Sequence, residues 1–398
     1  MNITQQGVLV LLKSAVTGTA GQLPGEFSLE EALPIIRSHQ LVTLAYAGAV
    51  HCGVPPMAPV MQQLLSRYGK LMLHGERQMK MVERVCSAFE AQGIDYMPVK
   101  GCCMKPRYPS PELRIMGDAD ILIRMEQYER IRPLMLELGF EEVLTSDHEL
   151  IWKRPELYLE LHKRLIPSYN EDYYAYFGDG WLLGTHRRGH CYSMTQEDEY
   201  IYLFTHFAKH YRDGGIGCRH VMDLWVMRRW MQEPDDCYIR RELEKLGLER
   251  FHENMMRLLD HWFEDGAADD VTELISQFIF SSGSWGGLEN HVLAMEARNL
   301  NRTKPGQLRR NAIFRTIFPG AGQLKYRYPI LQRRPYLLPA VWVWRWIDTL
   351  LFSREKIGRQ KRRLDMIRKG SVTAYQRSLD LVGLGEETKL SGEARFPG

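Results

Sequence analysis

Apolar residues recur every three to four positions at both ends of the chain, and short apolar blocks with alternation lie between them. Residues 1 to about 92 therefore read as helices. Ser28-Leu29-Glu30-Glu31 has the form of a capping box, with Leu33, Ile35 and Ile36 behind it, which predicts a helix from Ser28 to His39. Met57 to Gln92 predicts one long helix, with Gly93 placed to cap its C-terminus. The texture then changes. Ile94 to Val99 predicts a short strand, Gly101 to Arg107 a helical turn stopped by Pro106 and Pro109, and Asp118 to Arg124 a strand. A helix from Glu126 to Leu138 and strands at Glu141–Thr145, Glu149–Lys153 and Tyr158–Leu165 complete a compact α/β unit.

After about Asp172 the pattern is mostly helical again, with helices expected at Thr195–Arg212, Gly217–Met231, Arg240–Trp262 and Val271–Ser281. An aromatic-rich helix (Ala340–Phe352) and a charged one (Ser353–Lys369) follow, and the last twenty or so residues look loosely held. The expected class is α+β, with N-terminal and C-terminal helical regions. The texture divides the chain into 1–70, 71–170, 171–300 and 301–398.

Composition changes this picture little, but charge distribution does. The 398 residues carry a net charge of +3, while the stretch from Arg302 to Lys369 holds 18 Lys and Arg against Asp348, Glu355 and Asp365. Such asymmetry fits polyanion contact through 302–369, or a basic tail folded on an acidic body. Trp342, Trp344, Trp346, Tyr326, Tyr328 and Tyr336 interleave with the basic residues, as at a nucleic-acid surface, an interfacial membrane helix or an ordinary helical domain. Seven cysteines without Cys-x-x-Cys spacing suggest reduced, mostly buried thiols. Met1–Gly21 lacks the form of a signal peptide, and Pro335–Phe352 is short and interrupted by Arg345 and Asp348, so the expected setting is soluble and cytoplasmic, with no transmembrane segment.

The candidate chemistry centres on Gly117-Asp118-Ala119-Asp120, which runs into Ile121-Leu122-Ile123. On a strand, residues i and i+2 share a face, so Asp118 and Asp120 project together while Ala119, Ile121 and Ile123 face a core. Paired carboxylates repel unless a cation lies between them. A strand edge with two solvated aspartates gives the same pattern, and three neighbouring features bear on the choice. Val99-Lys100-Gly101-Cys102-Cys103 passes from a strand through glycine into a helix, beside a positive charge. Tyr158-Leu159-Glu160-Leu161-His162 places Glu160 and His162 on one strand face; Glu160 could add a third carboxylate, and His162 could be a ligand, a phosphate contact or a structural histidine. Arg114 could grip phosphate or pair with an acid. Further along, His206 and His210 stand at i and i+4 beside Lys209, as do Arg219 and Asp223, which are expected to pair; His206, Lys209, His210 and Arg219 are candidates for a cleft wall.

Lys100-Gly101, then Arg114-x-x-Gly117-Asp118-x-Asp120 with its aliphatic run, then Glu160-Leu161-His162, resemble the polymerase-beta-like nucleotidyltransferase superfamily over roughly residues 30 to 230. The closer likeness is to its bacterial branch labelled uncharacterised nucleotidyltransferases. The resemblance implies a small mixed β-sheet core flanked by helices, and transfer of a nucleoside monophosphate from a nucleoside triphosphate such as ATP to a hydroxyl acceptor with Mg²⁺ or Mn²⁺. It implies that Asp118, Asp120 and Glu160 are catalytic metal ligands and that Lys100, Gly101, Cys102 and Arg114 bind phosphate. Two departures stand out. Better-studied members carry Gly-Ser where this chain has Gly101-Cys102, and the third acid is Glu where Asp is more usual. A lapsed relative that binds nucleotide or a partner, or a basic adaptor for nucleic acid or a membrane surface, is the rival expectation.

Overall fold

The computed structural model describes residues 1–284, 286, 288–300, 314, 317–324, 328, 330–352 and 369–385. Four helices come first: α1 (Ile3–Thr17), α2 (Leu29–Ser38), α3 (Val42–His51) and α4 (Pro59–Ala91). Asn2 caps α1 in a capping box with Gln5, and Ser28 accepts from the Glu31 N–H to start α2. The long helix α4 ends one residue before Gln92, and Gly93 takes the positive φ of +63° that turns the chain toward the sheet.

The core unit then alternates β1 (Tyr96–Val99), a short helix α5 (Gly101–Met104), β2 (Ala119–Ile123), α6 (Tyr128–Glu137), β3 (Glu141–Thr145), β4 (Glu149–Arg154), β5 (Leu157–His162), α7 (Glu171–Phe177), β6 (Thr185–Arg188) and β7 (Cys191–Ser193). The strands form one mixed seven-stranded sheet in the order β3-β4-β5-β2-β1-β7-β6. β2 runs antiparallel to β1 and parallel to β5. One face of the central strands is apolar: Ala119, Ile121 and Ile123 of β2 and Leu157, Leu159 and Leu161 of β5 pack on Val85 and Phe89 of α4 and on Ile131 and Met135 of α6. The other face carries Asp120, Leu122, Glu160 and His162 toward the helices that follow, the alternation read from sequence for these residues, while Asp118 precedes the strand.

Those helices are α8 (Gln196–Arg212), α9 (Cys218–Trp230), α10 (Asp236–Lys245), α11 (Glu249–Phe263), α12 (Asp270–Ser282) and α13 (Leu288–Leu300). They share one hydrophobic core with α1–α3. The chain is thus an α+β fold with helical flanks.

Two expectations are corrected, and a third in part. The single helix expected over Arg240–Trp262 is two, α10 and α11, broken at Gly247, whose φ is +63°. Thr185–Ser193, in a stretch read as helical, is a hairpin on the edge of the sheet. The chain end is held as far as Gly385: the helix Lys369–Val382 buries Val372, Tyr375, Leu379 and Val382, and the Asn254 side chain donates to Val382 O at 2.9 Å. The charged helix expected from Ser353 lies, up to residue 368, outside the described residues, as do residues 386–398. All seven cysteines are free. Among the described residues, no helix is long and apolar enough to cross a membrane.

Candidate active site

Strand register assembles the floor of the site. Asp120 lies directly opposite Glu160 across the parallel β2–β5 pair, and Val99 lies opposite Asp120 across β1–β2, which delivers Lys100 to the same spot. The Lys100 ammonium donates to Asp120 Oδ1 at 2.7 Å, and His162 Nε2 sits 2.8 Å from the same oxygen, 3.4 Å from Glu160 Oε2 and 3.3 Å from Lys100 Nζ. Lys100 is held at φ +51° and ψ −118°, a conformation that favours glycine and that L residues adopt only at a cost of about 1–3 kcal/mol. The strained residue is therefore Lys100 and not Gly101. The space a side chain on Gly101 would take is filled by Arg114 Nη1, 3.0 Å from the place of a Cβ, and by Met116.

The charges are mutually dependent. Burial would raise the Asp120 carboxyl, but Lys100 and the His162 hydrogen bond hold it well below the usual carboxylate range. Burial lowers the Lys100 ammonium, and Asp120 more than offsets this, so the lysine stays charged. Burial and the nearby Lys100 depress His162, while hydrogen bonds to Asp120 and Glu160 carry it above its ordinary value. Burial, reinforced by the Asp120 charge, raises Glu160. Asp118 stands one residue ahead of β2, and burial together with Asp120 raises its carboxyl too. Among the described residues its side chain makes no hydrogen bond.

Asp120, Glu160 and His162 each offer one ligand atom, all within 4.8 Å of one another. Two carboxylates and an imidazole are a donor set for a divalent cation, and the Lys100 ammonium, bonded to Asp120, would have to give way to it. The donor set therefore fits a metal. It differs from the implied trio: His162 stands with Asp120 and Glu160, while Asp118 lies outside the group.

α8 and α9 supply the wall. Lys209 is 8% exposed, and its ammonium makes no hydrogen bond among the described residues. Burial, with Lys100 repelling it, lowers its pKa to about 8. His206 and His210 meet through their Nε2 atoms at 3.1 Å, and burial keeps both well below the ordinary histidine value. Arg219 Nη1 donates to Ile115 O at 3.2 Å; burial and then Arg114 lower its pKa to about 10. Lys209 lies within electrostatic reach of Glu149 and Glu160, and Arg219 within reach of Asp118.

A family model described as uncharacterised nucleotidyltransferase matches residues 25–264, more than half of the chain. The chain belongs to this family. No curated protein and no solved structure matches. Membership in a nucleotidyltransferase family gives the reaction class, nucleotidyl transfer.

Two residues of this nucleotidyltransferase that sequence points to phosphate take other positions. The Arg114 guanidinium is buried and engaged: Nη2 donates to Asp223 Oδ2 at 2.9 Å, Nε to Asp223 Oδ1 at 3.3 Å and Nη1 to Ile115 O at 3.1 Å. Tyr108 completes the group, its hydroxyl donating to Asp223 Oδ1 at 2.8 Å. Asp223, expected opposite Arg219, is the carboxylate that takes Arg114. Cys102 is buried in the apolar layer behind the sheet, where burial and then Asp120 raise its thiol to about 12; it offers no hydroxyl-like contact to phosphate.

Sequence reading missed Glu149. It opens β4 directly opposite His162, and its carboxylate lies 2.9 Å from His148 Nε2. Only cross-strand register reveals it.

The buried histidines of the wall predict a stability profile. Their folded pKa values are depressed, so at falling pH the unfolded chain takes up protons that the folded chain refuses, and stability drops as pH falls below 6.5. Each contributes up to about 1.4 kcal/mol per pH unit. Thermal melts of wild type and of His206→Gln with His210→Gln between pH 7 and 5 should show a shallower decline in the variant; parallel curves would contradict the assignment.

Proposed function

We propose that the protein transfers a nucleoside monophosphate from a nucleoside triphosphate to a hydroxyl acceptor, with Mg²⁺ or Mn²⁺ at Asp120, Glu160 and His162 and with Asp118 beside them. The observation that carries this reading is the meeting of Asp120 and Glu160 across adjacent parallel strands, with His162 Nε2 between the two carboxylates and Lys100 bonded to Asp120. When bound, the metal ion neutralises charge that builds on the α-phosphate and the departing pyrophosphate. Glu160, directly opposite Asp120 on the neighbouring strand, accepts the proton of the attacking hydroxyl. The acceptor oxygen forms its bond to the α-phosphorus as the bond to pyrophosphate breaks. Lys100 and Lys209 hold the triphosphate oxygens, and His206 and His210 donate to them or to the nucleoside. Arg114 works behind this surface, tying the segment before β2 to α9 through Asp223.

The test is to incubate the pure protein with Mg²⁺, α-labelled triphosphates and fractionated hydroxyl acceptors, and to follow pyrophosphate release and the labelled product. Calorimetric binding of triphosphate with no pyrophosphate released from any acceptor would favour a second reading, a non-catalytic nucleotide binder; the Lys100 ammonium at Asp120 supports that reading, because it neutralises the acid without a metal. Lys209→Met is expected to raise KM for the triphosphate roughly tenfold or more, the loss of one charged hydrogen bond, with a smaller change in kcat. An unchanged KM would remove Lys209 from the phosphate contacts.

A further inference from the structure

The helix Leu338–Phe352 is apolar on two sides, and among the described residues one of them is left exposed. Its inner side packs on the chain: Trp342 Nε1 donates to Pro319 O at 2.8 Å, Trp346 Nε1 donates to Ile317 O at 3.0 Å, and the Phe318 ring meets both indoles edge-on at 5.1 and 5.3 Å. The outer side carries Ala340, Val343, Trp344 and Ile347, at the spacing that forms a single helical stripe. Val343 is 50% exposed, Trp344 64% and Ile347 45%. Tyr336, 71% exposed, extends the stripe into the preceding turn, where Arg333 and Arg334 are exposed as well. The stripe itself contains no charged or hydrogen-bonding side chain other than the Tyr and Trp tips.

We propose that this stripe docks the protein on an anionic lipid surface. An uncovered apolar stripe of this kind marks an interaction site, and the sequence around it selects the partner. From Arg302 to Lys369 there are 18 Lys and Arg against three acidic residues, so the stripe is set in a strongly cationic stretch. A second copy of the chain docked stripe to stripe would bring the same surplus of positive charge against itself. A nucleic acid would satisfy the basic residues and leave Val343 and Ile347 in water. An anionic bilayer satisfies both: its phosphates draw the arginines and lysines at about 1 kcal/mol each, and its headgroup boundary takes aliphatic side chains flanked by Trp and Tyr. The helix spans 15 residues and is too short to cross, so it lies in the interface plane. This binding is independent of the transferase reading, and its test involves no turnover.

Full-length protein is mixed with vesicles of phosphatidylcholine alone or of phosphatidylcholine with phosphatidylglycerol, then floated on a density gradient at low and high salt. The expected result is flotation with the anionic vesicles only, weakening with salt, and a drop of about tenfold or more in the bound fraction for Val343→Glu with Ile347→Glu. Both side chains are exposed, so the variant should retain the wild-type circular dichroism. Tyr336→Glu, in a separate turn, should lower binding in the same direction, which covers the case in which the double variant folds poorly. Four results would overturn the proposal: no flotation with anionic vesicles; flotation that the stripe variants leave unchanged; an equal loss of heparin binding in those variants; or a lipid-free dimer, seen by light scattering, that the stripe variants dissociate.

Discussion

Replacing Asp118 and Asp120 together with Asn is expected to lower nucleotidyl transfer by about three orders of magnitude or more, the scale of losing preorganised charge at a reacting phosphate. Asn preserves shape and hydrogen-bonding capacity, so the loss would report charge. The single variants should separate in stability as well as in activity. Asp118 makes no hydrogen bond among the described residues, and burial beside Asp120 raises its carboxyl. A raised carboxyl means that near neutral pH the folded chain holds an unfavourable charge, so Asp118→Asn should leave thermal stability unchanged or increase it while activity falls. Asp120 is the reverse. Its carboxyl is held low by Lys100 and His162, so its charge contributes stability above the unfolded carboxyl pKa, which is lost as pH falls toward the folded one. Asp120→Asn weakens two charge-assisted contacts at once and should lower the unfolding free energy by about 1–3 kcal/mol. Differential scanning fluorimetry beside a pyrophosphate-release assay distinguishes the two. Full turnover in the double variant would end the enzymatic reading, and a destabilised Asp118→Asn would show that this carboxylate has a structural partner.

How much of this was legible in the sequence depends on whether the signal is local. Strand alternation put Asp120 with Leu122 on one face and Ile121 with Ile123 on the other, because the core reads a period of two directly. The same rule placed Glu160 beside His162, but that they meet Asp120 follows from register, which alternation leaves open. Glu149 escaped for that reason. Arg114 and Asp223 are 109 residues apart, so no local pattern joins them. Gly101 read as a place where the backbone could come close to a ligand; the space beside it is taken by Arg114 and Met116, and the unusual φ of this turn falls on Lys100. The Thr185–Ser193 hairpin has β6 fully exposed and β7 half-buried, so it lacks the apolar alternation by which strands are recognised. In the opposite sense, Leu246 and Leu248 are both buried around Gly247, so the apolar periodicity of α10 and α11 ran on through a real break.

Removing the Asp223 carboxylate should be among the most destabilising single changes in the chain, although Asp223 has no assigned part in the chemistry. It accepts from Arg114 twice and from the Tyr108 hydroxyl, and all three side chains are buried. With Asp223→Ala the guanidinium remains enclosed without its counter-charge. Breaking one partner of a buried ion pair typically lowers stability by about 3–5 kcal/mol. Arg219, whose guanidinium lies close enough to Arg114 to be depressed by it, would then feel that unneutralised charge more strongly. The damage should reach the site mechanically, because Arg114 sits against Gly101 and anchors the segment that leads into Asp118. Activity per folded molecule should fall as Lys100 loses its support, even at temperatures where the variant is folded. The control is the double variant Arg114→Leu with Asp223→Leu: removing both charges should recover much of the lost stability but not the positioning of Lys100, so urea midpoint and kcat/KM would part company. If Asp223→Ala melts like wild type, the ion pair is not what fastens α9 to the site; if the double variant regains both stability and activity, Arg114 acts through volume alone.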